Sequence, residues 1–191
     1  MAKRDSKWKR NLISAFIIMI MVLSVLGIML SRDAGQTKKY NGHKFTAKDN
    51  KWLLNVDKWL VDFDYLPTGV EDISISQEIK NKILNTKMIY LTFDPENATK
   101  TMDKLRFDLI NLLANKFGIH AAGSITRNST KYQLPVMTCK NATVYVPVVE
   151  LKLGNQTNIY IKDNCIIAQA ESAEDITRIG DALIYKLTGV V

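Results

Sequence analysis

The sequence is poor in the residues that build catalytic and metal sites. It contains two histidines, His43 and His120, which lie 77 positions apart, and only two cysteines. Histidines at this separation do not have the spacing of a metal-ligand motif. The G-x-S-x-G, H-E-x-x-H, Walker A and G-x-G-x-x-G patterns are also missing from the chain. We therefore predict no catalytic residue, no metal and no cofactor, and a binding protein is favoured over an enzyme.

The positive charge of the chain is concentrated at its N-terminus. The formal net charge is +7. Residues 1–10 hold five basic residues and one acidic residue, and residues 11–31 are uncharged. The remainder carries 21 basic and 18 acidic residues. A nearly balanced charge over most of the chain argues against nucleic acid as a partner.

Residues 12–30 form the longest apolar run. They contain no charged residue, and Ser14 and Ser24 are their only polar side chains. A helix of 19 residues spans roughly 28 Å, close to the hydrocarbon thickness of a bilayer. We predict a transmembrane anchor at 12–30 with the lipid bilayer as its partner, a basic cytoplasmic tail at 1–11 and a linker at 31–39.

The flanking charges favour a cytoplasmic N-terminus and an extracytoplasmic C-terminal domain in the cell membrane. Five basic residues precede the span, and four follow it within 32–44. The preference is small, but it agrees with the positive-inside rule. A cleaved signal peptide, with Val25 and Gly27 near the cleavage site, is the alternative.

Two features fit an extracytoplasmic domain. Four N-x-[ST] sequons, the acceptor pattern for N-linked glycans, follow the anchor; they begin at Asn97, Asn128, Asn141 and Asn155. In an oxidising compartment, the pair Cys139 and Cys165 is most simply a disulfide, and two buried free thiols are the alternative. Asn128 and Asn155 lie in favourable turn contexts, whereas Asn97 does not.

Residues 40–67 are predicted to form a small β-hairpin or meander. Asn41-Gly42, Asp49-Asn50 and Asp57-Lys58 have the composition of tight turns, and residues 59–65 alternate between apolar and polar. A helix over 44–65 is the alternative, because Trp52, Val56 and Trp59 also recur at helical spacing. The aromatic residues of this stretch are expected to be core, and a stacking surface for a sugar or a peptide is the alternative; they are Trp52, Trp59, Phe63 and Tyr65.

Residues 68–191 predict a mixed α/β domain of α+β type. We expect a short helix capped by Ser76, a strand at 87–93, a helix starting at Asp94-Pro95 and ending at Gly118, and a last helix at 173–188. The expected strands after Gly118 are 119–126, 143–153, 157–161 and 165–170. A βαβ unit gives parallel neighbours, and a hairpin turned at Gly154-Asn155 gives antiparallel ones.

This order of elements resembles the core of the thioredoxin fold, including Pro147 before a hairpin and a closing helix. The loop after the first strand, Phe93-Asp94-Pro95-Glu96-Asn97, has no cysteine where the thioredoxin family carries its redox motif. No catalytic residue can therefore be transferred from that family.

Four stretches, Tyr40–Gly42, Phe63–Pro67, Leu134–Cys139 and Asn164–Ile167, carry a second resemblance. In them the chain is similar to uncharacterised single-pass membrane proteins of small-genome archaea. The resemblance implies no known activity.

The remaining candidates have ordinary explanations. Asp57, Asp62 and Asp64 form the densest acidic cluster and are expected to be solvated rather than to bind a cation. We predict a binding or scaffolding module of the cell envelope, with an envelope protein or a glycan as partner. The alternatives are an accessory subunit of a membrane complex, with contacts through Ser14, Ser24 and Gly27, and a thioredoxin-like thiol–disulfide or other envelope enzyme.

Overall fold

The computed structural model describes the backbone of residues 4–32 and 36–191, and the side chains of residues 8–27 and 36–191. The chain divides into two compact units, residues 1–37 and residues 38–191. Residues 1–3 of the predicted tail and 33–35 of the predicted linker lie outside the described residues.

Among its described residues, the first unit contains one helix, α1, at Arg4–Arg32. Within it, Trp8–Gly27 form a 20-residue stretch with a mean hydropathy of 2.0, and no part of that stretch is buried. Such a helix is long and apolar enough to cross a bilayer, although a signal sequence passes the same test. The predicted span at 12–30 falls within α1, but the side chains of its last three residues are not described.

The second unit contains two sheets and three helices. Its strands are β1 Thr37–Tyr40, β2 His43–Lys48, β3 Lys51–Val56, β4 Trp59–Phe63, β5 Met88–Phe93, β6 His120–Ile125, β7 Val148–Leu153, β8 Asn158–Lys162 and β9 Cys165–Ala170. Its helices are α2 Gln77–Leu84, α3 Lys100–Phe117 and α4 Ala173–Thr188, with one-turn 3₁₀ helices at Pro67–Gly69 and Cys139–Asn141.

Strands β1 to β4 form the predicted meander. They lie side by side in chain order, and the β2–β3 and β3–β4 pairs are antiparallel. All three tight turns, Asn41-Gly42, Asp49-Asn50 and Asp57-Lys58, have both central residues at positive φ. Two such residues are what a type I′ hairpin requires. The strand interpretation is therefore confirmed, and the alternative helix is excluded.

An aromatic cluster packs the meander against α4. Phe63 is stacked on Tyr185 with the ring centroids 4.1 Å apart, and Phe45 meets Tyr185 edge-on at 6.0 Å. All three rings are fully buried. Each such pair contributes about 0.5–1.5 kcal/mol beyond the burial of its area. The aromatic stripe of the meander thus faces the core, although Trp59 at its end is exposed.

The second sheet is mixed, with the strand order β6-β5-β7-β9-β8. The pairs β5–β6, β5–β7 and β7–β9 are parallel, and only β8–β9 is antiparallel. Alternate residues of β5, β7 and β9 share one core cluster with the apolar stripes of the helices. α3 and α4 contact each other and lie against this sheet. The mixed α/β prediction is confirmed at this level.

The expected hairpin between β7 and β8 is wrong, because β9 lies between them. The sequence Cys165–Ala170 is almost continuously apolar and buried on both faces, which suits a central strand. The sequence Asn158–Lys162 alternates with exposed polar residues, which suits an edge. Since β7 also runs parallel to β5 and does not pair with β8, the thioredoxin-like topology is not confirmed.

The helix predictions hold except at one terminus. Ser76 caps α2 and Ser172 caps α4 through hydrogen bonds from Ile79 N and Asp175 N, and α3 ends at Gly118 with φ +66°. The start of α3 at Asp94-Pro95 is wrong. Thr99 is the N-cap, and its hydroxyl accepts a hydrogen bond from Met102 N.

A long loop, residues 126–147, crosses the face of the mixed sheet that α3 and α4 leave open. Thr92 Oγ1 on β5 donates to Met137 O at 2.7 Å, and Thr86 Oγ1 donates to Tyr145 O at 2.6 Å. The expected strand at 143–153 begins only at Val148, because the chain up to Pro147 belongs to this loop. The loop carries Cys139 onto the sheet.

Candidate functional site

A crevice opens at the carboxyl ends of β5 and β7. Its volume is about 370 Å³, within the range of small-molecule sites. Four charged side chains and two amide or hydroxyl groups surround an apolar floor. The lining residues are Asp94, Asn97, Met102, Thr126, Arg127, Glu150, Leu151, Lys152 and Leu153.

The order of the strands explains this position. From β5 the chain crosses through α3 to β6 on one side, and it later returns to β7 on the other side of β5. The two connections leave the sheet in opposite directions, which opens a gap at the carboxyl ends between β5 and β7. In open α/β sheets, ligands bind at such a reversal of strand order.

The loop after β5 is fixed by its own side chains. Asp94 Oδ1 accepts a hydrogen bond from Glu96 N at 3.1 Å, and Asp94 Oδ2 accepts one from Asn97 Nδ2 at 3.0 Å. Arg127, at the end of β6, pairs with Asp94 at 2.7 Å and with Glu96 at 3.0 Å. Asp94 is thus the centre of an Asx-type turn rather than a helix cap, which is why α3 starts later.

Two charged side chains on β7 remain available to bind a ligand. Glu150 and Lys152 are two residues apart on the strand and project from the same side of the sheet. Both are half-buried, and neither forms an ion pair with any residue that the structure describes. The crevice therefore offers one unpaired cation and one unpaired carboxylate to a ligand.

Glu150 also connects the crevice to the cysteines. Cys139 and Cys165 are joined in a disulfide with the Cα atoms 5.1 Å apart. Glu150 Oε2 lies 2.9 Å from Cys139 Sγ. Cys165 is buried among Val148 and Ile167, whereas Cys139 is half-buried. The predicted disulfide is present in the structure, and a carboxylate lies against it.

A second polar cluster binds the meander to α4. Asp181 on α4 is only 6% exposed, and its Oδ2 accepts hydrogen bonds from Asp64 N at 2.9 Å and Tyr65 N at 2.8 Å. Tyr185 OH, one turn later, donates to Tyr65 O at 2.6 Å. Burial raises the pKa of Asp181 to about 7, partly offset by these backbone hydrogen bonds, and burial also raises the pKa of Tyr185.

The three aspartates of the predicted acidic cluster separate. Asp57 pairs with Lys116 at 3.0 Å. Asp62 and Asp64 border a small gap that also contains Lys104 and Asp181. Burial lowers the pKa of Lys104, but its hydrogen bond to Asp108 and the nearby aspartates leave it raised overall. Lys104 is thus a cation among these carboxylates, and Asp64 also pairs with Lys51.

The histidines and the four sequons are not brought together. His43 lies on β2, and His120 is exposed at the start of β6. The sequon asparagines are all exposed, but they differ in their contacts; they are Asn97, Asn128, Asn141 and Asn155. The amide nitrogen of Asn97 donates within the crevice, and Asn141 Oδ1 accepts from Thr138. Glycosylation stays a prediction at each of them.

No family model, curated protein or solved structure matches the chain.

Sequence reasoning missed the residues that define the crevice, namely Arg127, Glu150 and Lys152, and it missed Asp181. The position of Asp94 directly after a buried strand was a usable signal for the crevice, since the carboxyl ends of parallel strands carry ligand sites. Asp181 carried a weaker signal. It lies within the apolar stripe of an otherwise regular helix, where an aspartate needs a buried partner.

Proposed function

We propose that this chain is a membrane-anchored, extracytoplasmic binding module, whose folded unit holds a small polar ligand or the polar end of an envelope partner in the crevice. The observation that carries the proposal is the exposure of every described side chain along the apolar stretch Trp8–Gly27. The contact of this largely apolar 20-residue stretch with water is unfavourable, and burial in lipid removes that cost.

The crevice supports the binding role. Its unpaired lysine and carboxylate, Lys152 and Glu150, can each bind an opposite charge on a ligand, and Met102 and Leu151 provide an apolar floor. The disulfide and the exposed sequons fit an oxidising, extracytoplasmic environment. We propose that the N-terminus lies inside and the folded unit outside, because basic residues precede the apolar run at 12–30.

Photo-crosslinking in the native membrane tests the binding role. A photoreactive residue replaces Lys152 in the crevice of the full chain. The same residue replaces Lys162 as a matched control, since Lys162 is an exposed lysine at the opposite edge of the sheet. We expect a discrete adduct from position 152 and none from position 162. Absence of an adduct at 152, or equal adducts at both positions, contradicts a ligand in the crevice.

A further inference from the structure

Two sulfurs and one carboxylate form the only group of three or more potential metal ligands among the described residues. One ligand atom from each of Cys139, Glu150 and Cys165 lies within 4.8 Å of the others. The sulfurs are bonded to each other, and a disulfide sulfur is a poor ligand because metals take the thiolate. In this oxidised form the group does not bind a cation.

The contact between Glu150 and Cys139 is informative. Oε2 and Sγ are 2.9 Å apart, but a disulfide sulfur carries no proton and cannot donate a hydrogen bond. Within the part of the chain that the structure describes, no lysine or arginine pairs with Glu150. A half-buried carboxylate in this position lacks a positively charged partner, and a cation between it and the sulfurs would supply one.

We propose that Cys139, Cys165 and Glu150 form a redox-gated site for a zinc-class divalent cation, closed to metal in the disulfide and open to it in the dithiol. A dithiol reductant is oxidised to its own disulfide as it transfers two electrons and two protons to the pair, which breaks the bond between the two sulfurs. Metal binding then releases both thiol protons. The thiolates and Glu150 give three ligands, and water takes the fourth position.

The surroundings suit this chemistry. Cys165 is 1% exposed on the inner strand β9, whereas Cys139 is half-buried on a one-turn helix in the loop. Zn–S bonds are about 2.3 Å long and Zn–O bonds about 2.1 Å. The two sulfurs and the Glu150 oxygen therefore need to move apart only modestly to hold the metal between them. Val148, Ile167 and Tyr90 pack against the sulfurs and limit the access of water. This proposal does not depend on the ligand of the crevice.

Cobalt(II) is the probe, because its thiolate complexes absorb strongly in the near ultraviolet and its tetrahedral complexes have intense visible bands. The full chain in detergent is reduced with a trialkylphosphine, which becomes the phosphine oxide with an oxygen atom from water. We expect one cobalt ion per reduced chain with a thiolate spectrum, and none in the oxidised chain. Glu150→Gln should weaken cobalt binding about tenfold or more, and the control Glu171→Gln should not.

Unfolding of the reduced chain provides a second readout that does not depend on any variant. Metal should raise the unfolding temperature of the reduced wild-type chain and leave that of the oxidised chain unchanged. A reduced chain without a thiolate–cobalt band overturns the proposal. Equal cobalt affinity in Glu150→Gln and the wild type overturns the assignment of Glu150 as a ligand.

Discussion

The replacement Asp181→Asn separates the charge of the buried carboxylate from its hydrogen bonds. The two side chains have nearly the same shape, and the amide oxygen of asparagine can still accept from the backbone N–H groups of Asp64 and Tyr65. Only the negative charge is lost. Any pH-dependent change in stability then reports the cost of burying that charge.

The expected change in the free energy of unfolding follows from the pKa of Asp181, which burial raises from 3.8 to about 7. Between these values the folded chain holds a proton that the unfolded chain has lost, so the free energy of unfolding falls as the pH rises from about 4 to about 7. A shift of about three units corresponds to about 4 kcal/mol. The groups that face this carboxylate are Asp62, Asp64, Lys104 and Asp108.

Urea unfolding of the full chain in detergent, followed by tryptophan fluorescence, measures the effect. Near pH 4 the wild type and Asp181→Asn should have similar stability. Near pH 8 the variant should be the more stable of the two, by up to about 4 kcal/mol. Since asparagine also satisfies the two N–H groups, the variant should not lose the meander.

Asp175→Asn, on the same helix, is the matched control, because the pKa of Asp175 is shifted in the opposite direction. Its hydrogen bonds from Ser172 and Arg178 lower the pKa of Asp175, although burial opposes them. That carboxylate stabilises the fold above its unfolded pKa, and the contribution is lost as the pH falls. The control variant should therefore be less stable than the wild type at pH 8. If the difference between Asp181→Asn and the wild type does not change with pH, the buried-charge argument is refuted.

Two further predictions concern packing and crosslinking in the folded unit. A Cβ on Gly180 would lie 2.4 Å from Leu105 Cδ1. Gly180→Ala should therefore destabilise the fold by about 1–3 kcal/mol, and by clearly less when Leu105 is also replaced by alanine. Additive losses of stability in urea unfolding contradict this contact. The disulfide closes a loop with a sequence separation of 26. Replacing both Cys139 and Cys165 with serine should therefore lower the free energy of unfolding by about 3 kcal/mol or more at neutral pH. A smaller loss in urea unfolding means that the chain without the disulfide keeps the loop ordered.

Local rules predicted the parts of the fold that local chemistry determines. Turn residues at Asn41-Gly42 and Asp57-Lys58 set the hairpins through positive φ, and hydroxyl caps at Ser76 and Ser172 set the starts of α2 and α4. Each of these signals acts within a few residues, so it survives in the folded chain whatever packs around it.

Features that depend on distant partners were not predictable in this way. Asp94-Pro95 has the composition of a helix start, but Arg127, just after β6, pairs with Asp94, which lies in a turn instead. The insertion of β9 between β7 and β8 depends on burial from both faces, which adjacency in the chain does not reveal. The unpaired charges of the crevice likewise become recognisable only when the sheet brings β5, β6 and β7 together.

The central claim, an anchored module outside the membrane, is tested most directly by labelling intact cells that make the full chain. An amine reagent that does not cross membranes is applied before and after permeabilisation, and the labelled lysines are located by peptide mapping. The account predicts immediate labelling of exposed lysines in the folded unit, such as Lys100 and Lys140. The tail lysines Lys3 and Lys7 should react only after permeabilisation. The reverse pattern, or loss of the first 30 residues from the mature chain, contradicts the account.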